Sequence, residues 1–276
     1  MEENAKVLLI LVDGMRPDSI AACQNSYAAG MLEKNHFCTM DAKTVFPSVT
    51  LPCHMSLFHS VTPQRHGILT NTYVPVARTV NGLAEVLHAA GKKCAFYYTW
   101  EELRDLARPG TLAESVFATM YGKDIKNPEA AVTKAAVAAM KEEAPDFMFL
   151  YLGVSDETGH RYGWMSREYL EAISSAWDRI SEIVTQAPEE YRILITADHG
   201  GHDCGHGSDD PQDMTIPVII TGGKADIFRD GEVSILDIAP TIADWLQTPA
   251  DDAWTGRSLV VKKNKKGKKN EERVLI

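Results

Sequence analysis

A short apolar run, Ile193 to Ile195, breaks directly into Thr196-Ala-Asp198-His199-Gly-Gly-His202-Asp203-Cys204-Gly-His206-Gly207. No other stretch limits the fold as tightly. Aliphatic residues followed by a polar, glycine-rich continuation read as a buried strand that delivers imidazoles and carboxylates at its carboxyl end. In an open α/β sheet that is the end where ligands bind. The glycines let short side chains converge without conflict from the backbone. A structural zinc knuckle is disfavoured, because Cys204 has no second cysteine two to four residues away.

The rest of the chain alternates strands with helices. Val7 to Val12 is a continuous apolar run bounded by Asp13-Gly14, the pattern of a central parallel strand. Cys94 to Tyr98, Phe147 to Leu152 and Ile216 to Ile220 read as further strands. Helices are expected from Pro17 to about Met31, over residues 79–91, from Asn127-Pro128 to before Pro145, over Ser166 to Gln186 and over Asp237 to Leu246. Between Ser48 and Phe58 another helix carries Pro52 in its first turn, with Thr50 or Leu51 at its N-cap. The alternation predicts an α/β fold, a mostly parallel central sheet with helices on both faces.

The 276 residues, 45% hydrophobic, suffice for one large core, so a single domain is expected over residues 1–261. Residues 262–276 are lysine-rich and read as a flexible basic tail. The net charge is −10 despite that tail, so the body is strongly acidic and specific nucleic-acid binding is disfavoured. Five scattered cysteines suit reduced thiols. No run has the length of a membrane span, and the first residues lack a signal-type core, so a cytoplasmic protein is expected.

Four segments bring chemistry to strand ends or helix starts: Val12-Asp13-Gly14, Pro47 to Pro52 with Thr50, Ser155 to His160 with Asp156 and His160, and Thr196 to His199 with His206 downstream. Asp156 and His160, four residues apart, share a face on a helical turn. Together the segments supply three carboxylates, three imidazoles and a hydroxyl. That is the inventory for two zinc-like cations flanking an in-line displacement at phosphorus. A threonine at a helix N-terminus beside such cations is an activated nucleophile.

The combination resembles the alkaline phosphatase superfamily, most closely its nucleotide pyrophosphatase/phosphodiesterase branch. Val45-Phe-Pro-Ser-Val-Thr50-Leu-Pro-Cys-His54 is similar to that branch's nucleophile motif, Phe-Pro-x-x-Thr-Phe-Pro-Asn-His, with Cys53 in place of asparagine. Thr62 to Ile68, Asn71, Ile235 to Thr241 and Gly256 to Leu259 follow in the expected order. The resemblance implies an alkaline-phosphatase-like three-layer sandwich and two divalent cations, zinc or alternatively manganese. It places Asp13, Thr50, Asp198 and His199 on one cation and Asp156, His160 and His206 on the other. Thr50 would attack phosphorus to give a phospho-threonine that water hydrolyses, while Asn71 donates to a non-bridging oxygen.

His202 stands as the alternative last ligand or as a substrate or supporting contact. Tyr73, Tyr162 and Trp164 are candidates to line the substrate site. His54 and His66 read as packing or hydrogen-bonding histidines. The substrate is expected to be a small-molecule phosphate ester. A diester is favoured, because no arginine immediately follows Thr50 and a neutral asparagine suffices for the smaller charge. Phosphomonoesterase, phosphonate hydrolase and phosphomutase chemistry are the alternatives within the superfamily, and an inactive metal-stabilised scaffold is the alternative outside enzymes. A sulfatase is disfavoured, since Cys53 lacks the Cys-x-Pro-x-Arg context.

Overall fold

The computed structural model describes residues 5–75, 79–121 and 127–261, so the basic tail lies outside the described residues. Seven strands form one sheet: β1 (Lys6–Val12), β2 (Phe37–Lys43), β3 (Cys94–Tyr98), β4 (Glu114–Phe117), β5 (Phe147–Leu152), β6 (Tyr191–Thr196) and β7 (Thr215–Thr221). Their order is β2-β7-β6-β1-β5-β3-β4. All neighbours are parallel except at β7, which runs antiparallel to both β6 and β2. Val7–Val12 is fully buried and β5 nearly so, as expected of central strands covered on both faces.

The helices are α1 (Pro17–Ala22), α2 (Ser26–Glu33), α3 (Thr50–His59), α4 (Pro63–His66), α5 (Leu83–Ala89), α6 (Pro128–Glu142), α7 (Val154–Tyr162), α8 (Arg167–Val184), α9 (Pro211–Met214) and α10 (Ile238–Trp245). One layer packs α3, α5 and α10 together; the other packs α1, α2, α6 and α7 around α8. The anticipated caps are present on two of these. Ser166 accepts from the Tyr169 N–H at the start of α8, and Asn127 accepts from the Ala130 N–H ahead of Pro128 in α6.

Three local expectations are corrected. The helix from Pro17 to Met31 is two helices, because Gln24 adopts φ +54° and the Asn25 side chain then caps α2 through the Tyr27 and Ala28 N–H groups. The helix over 79–91 begins only at Leu83. Neither Thr50 nor Leu51 is an N-cap: Val49 holds that position without a side-chain bond, and Thr50 is already the first helical residue. Its hydroxyl is therefore not consumed by capping.

The turn after α4 is braced by a buried neutral imidazole. The His66 Nδ1 accepts the Ile68 N–H at 3.1 Å, and its Nε2–H donates to the Ser56 hydroxyl at 3.0 Å. Burial pushes the His66 pKa down to about 4, with the nearby His59 adding to the shift. Below about pH 6.5 the unfolded chain takes up a proton that folded His66 refuses. Stability should therefore fall as pH drops from about 6.5 to 4, by up to roughly 3 kcal/mol from this residue. Urea unfolding of His66→Asn, which keeps an acceptor for Ile68, should show a correspondingly shallower acid slope than the parent. An identical slope would assign the acid sensitivity elsewhere.

Candidate metal centre

Strands β6, β1 and β5 are neighbours, and all three point the same way, so the segments leaving their carboxyl ends lie side by side. β1 releases Asp13, β6 releases Asp198 and His199, and β5 runs through Gly153 into α7 with Asp156 and His160. The first residue of α3 brings Thr50 to the same place, and the loop after β6 returns with His206. Asp13, Asp198 and His199 present ligand atoms that all lie within 4.8 Å of one another, as do Asp156, His199 and His206. The Thr50 hydroxyl is 3.2 Å from His199 Nε2, while Asp13 Oδ1 and Asp198 Oδ2 are each 3.4 Å from that nitrogen. His160 Nε2 completes the second group, 3.1 Å from His206 Nε2 and 3.5 Å from Asp156 Oδ2. His199 lies between the two groups, its ring stacked on that of His206 at 3.8 Å.

The orientations follow one rule. His160, His199 and His206 each direct Nδ1–H at a backbone carbonyl: those of Cys204 at 3.0 Å, Gly200 at 2.8 Å and Ser48 at 2.8 Å. All three Nε2 lone pairs are thereby turned toward the cluster, the arrangement that prepares an imidazole as a ligand. The carboxylates are treated alike. Asp13 Oδ2 accepts the Tyr151 hydroxyl, and Asp198 Oδ1 accepts the Gly14 and His199 N–H groups. Asp13 Oδ1, Asp198 Oδ2 and Asp156 Oδ1 are buried and have no hydrogen-bond partner. Buried carboxylate oxygens without a partner are costly unless a cation satisfies them. Imidazole nitrogens with carboxylate oxygens suit zinc or manganese. The residues present fit divalent cations.

Electrostatics agree. Burial first, then the charges of Asp198 and Asp156, raises the Asp13 carboxyl well above the ordinary range. Burial likewise raises Asp198, and lifts Asp156 to about 6. Burial lowers His199 and His206 to about 4, so both rings are neutral at pH 7. Carboxyls whose charge is disfavoured by burial and by one another, set beside neutral lone pairs, are a receptor for positive charge.

Trp164 forms one wall. Its indole N–H donates to the Gly14 carbonyl at 2.9 Å, and its ring lies 5.1 Å from that of His160 and 5.8 Å from that of His206. A Cβ on Gly201 would come within 2.2 Å of the indole, and one on Gly159 within 2.7 Å, so only hydrogen fits at these places. Trp164 is thus buried packing behind the cluster. Asn71 accepts the Leu51 N–H at 2.9 Å and sits at the start of α3. His202 points away from the cluster; its Nδ1 pairs with Asp213 at 2.7 Å, and the buried Asp213 also takes the Ser208 N–H and hydroxyl. Tyr73 is exposed, and Tyr162 is exposed with the Arg161 guanidinium over its ring. Cys53 is buried and receives the Thr44 hydroxyl.

The sequence reading assigned no role to Tyr151, which orients Asp13, or to Asp213, which anchors the loop after β6 through Gly200, His202 and Ser208. Its one signal for the former is a lone hydroxyl in the otherwise apolar run of β5, beside the strand end.

A family model described as type I phosphodiesterase / nucleotide pyrophosphatase matches residues 7–83 and 85–241, a span containing every member of the cluster. The chain belongs to this family. Venom phosphodiesterase 2 of Crotalus adamanteus is 26% identical to it over 228 residues, covering 72% of this chain and 27% of the venom protein. A 2,3-bisphosphoglycerate-independent phosphoglycerate mutase of Haloquadratum walsbyi is 30% identical over 138 residues, covering 47% of this chain and 27% of the mutase. The chain thus spans about a quarter of the length of these curated relatives. Murine ectonucleotide pyrophosphatase / phosphodiesterase 5, solved in complex with AMP, shares the fold with TM-score 0.73 at 14% identity, covering 89% of this chain and 96% of that one. A family of phosphate-ester hydrolases in the alkaline phosphatase superfamily therefore accounts for the α/β architecture. Among the described residues no helix is long and apolar enough to cross a membrane.

Proposed function

We propose that the chain hydrolyses phosphate esters, with phosphodiesters preferred, through a Thr50 nucleophile beside two divalent cations, zinc by the chemistry of the donors. One observation carries the reading: three imidazole lone pairs and three unpartnered carboxylate oxygens gather in one cluster, and its His199 lies 3.2 Å from a threonine hydroxyl at a helix start. Asp13, Thr50, Asp198 and His199 would hold one cation, and Asp156, His160 and His206 the other. When bound, the cations supply positive charge to the reacting oxygens and favour ionisation of the attacking hydroxyl.

The chain's own groups do the rest. With His199 Nδ1–H committed to Gly200, its Nε2 lone pair faces the Thr50 hydroxyl 3.2 Å away, so both would serve the same cation and that shared hold would align the hydroxyl. Thr50 Oγ1, its proton released to solvent, attacks phosphorus as the bond to the leaving-group oxygen breaks; that oxygen departs as an alkoxide or takes a proton from water, and Thr50 carries the phosphoryl group until water displaces it and restores the hydroxyl. The positive end of α3 favours the anion throughout. Asn71 spends its carbonyl on Leu51 N–H and keeps its amide N–H groups for a non-bridging oxygen. His160, the exposed member, marks the solvent side by which water enters.

A neutral asparagine and an acidic body favour the less charged diester. On protein of measured zinc content, kcat/KM for bis-p-nitrophenyl phosphate should exceed that for p-nitrophenyl phosphate at least about tenfold, roughly 1.4 kcal/mol of preferential transition-state binding. A monoester preference would overturn the diesterase reading. The similarity to a phosphoglycerate mutase supports a second reading, transfer to an alcohol in place of water; product analysis with an added polyol separates the two. The free cysteines fit a reducing compartment such as the cytoplasm.

A further inference from the structure

We propose that Tyr151 is a positioning residue for the cation on Asp13: its hydroxyl holds one carboxylate oxygen and so presents only the other to the metal. The inference rests on the two-cation reading above. Tyr151 stands opposite Leu11 in the sheet, 2% exposed, one strand over from the end of β1. Its O–H donates to Asp13 Oδ2, while Asp13 Oδ1 is buried without a partner on the side of His199.

Two features keep the hydroxyl there. The ring packs edge-on against His54, with centroids 5.4 Å apart, and His54 is itself fixed by its bond to the Thr50 carbonyl at 2.8 Å. Gly153 supplies the space. Its φ of −110° is open to any residue, so glycine is not required by the backbone. A Cβ there, however, would lie 2.8 Å from Tyr151 Cε1 and 2.9 Å from its hydroxyl oxygen. The glycine that separates β5 from α7 is therefore read as the vacancy into which the tyrosine fits. Asp198 has the same one-sided arrangement through backbone N–H groups; Asp13 relies on this side chain.

The consequence concerns binding mode. Without the tyrosine, both Asp13 oxygens lack a partner and the carboxylate is free to turn. It can then engage the cation with either oxygen, or with both. Supporting groups behind a ligand are typically worth about 10–100-fold in metal affinity.

The test is zinc titration of the full chain against a chromophoric chelator, paired with the visible absorption of the Co2+-substituted protein. Tyr151→Phe keeps the shape and removes the donor. Gly153→Ala keeps the donor and displaces it, so it stands in if the first variant folds poorly. Each is expected to weaken one of the two zinc sites about 10–100-fold, leave the other unchanged and alter the Co2+ bands of one ion. Unchanged affinities and bands in both variants would overturn the inference, as would equal weakening of both sites. A parent protein that binds neither zinc nor Co2+ would overturn the two-cation reading itself, and this inference with it.

Discussion

Thr50→Ala should still take up its metal ions and unfold within about 1 kcal/mol of the parent, yet lose at least about 10⁴-fold in kcat/KM. That loss corresponds to roughly 5.5 kcal/mol of transition-state stabilisation. The stability half of the prediction follows from position. Thr50 is the first residue of α3, Val49 occupies the N-cap, and the hydroxyl caps no backbone group. Alanine at that place keeps the helix start and gives up one hydrogen bond to His199. The catalytic half follows from the covalent step, which has no substitute once the oxygen is gone. Rapid-quench mass analysis should find a phosphorylated Thr50 in the parent and none in the variant. Full activity in Thr50→Ala would rule out the covalent mechanism.

Stripping the protein with a chelator should lower its unfolding temperature by roughly 15–30 °C relative to protein holding both ions at free concentrations about 1,000 times their Kd. Each site would contribute about 4 kcal/mol by mass action, and a chain of this size shifts by roughly 2–4 °C per kcal/mol. Loss of the ions also exposes the cost hidden in the pocket. Asp13 and Asp198 are held above the ordinary carboxyl range, and Asp156 at about 6, chiefly by burial. A raised carboxyl pKa adds stability at low pH that is lost as pH rises through the folded value. The gap between loaded and stripped protein should therefore narrow on going from pH 8 to 5, because Asp156, at about 6 without the ions, takes up a proton that the loaded form refuses. Calorimetry of both forms across that range checks the sign. Equal melting temperatures with and without chelator would remove the metal reading.

The central architecture was legible because burial on both faces writes strands as unbroken apolar runs. Val7–Val12, Phe147–Leu152 and Ile193–Ile195 could be read directly. The edges could not. β2 alternates partly buried and exposed positions irregularly across a bulge, and β4 has only four residues, so neither shows a period longer than noise. The reversal of β7 leaves no mark in its composition, since a buried antiparallel strand beside parallel ones is equally apolar. The members of the cluster were legible by residue type and order. Their orientation was not, because each histidine is aimed by a carbonyl, and carbonyls are shared by every residue. By residue type alone His202 and His206 look equivalent, and only the family resemblance favoured His206. Asp213 separates them in space by engaging one, while the Ser48 carbonyl turns the other inward.

Every group in the cluster leaves the sheet, or approaches it, at one end. The opposite end, where β6 begins, is an exposed turn at Glu189-Glu190 with no part in the chemistry. Such a division makes the two ends separable under selection: one can be held while the other drifts, lengthens or accepts foreign segments at little cost. Short crossings at that end, such as Gly153 leading straight into α7, keep every member of the cluster but His206 on, or just after, a strand or helix, so the geometry of the cluster is inherited from the sheet and not from the conformation of long loops.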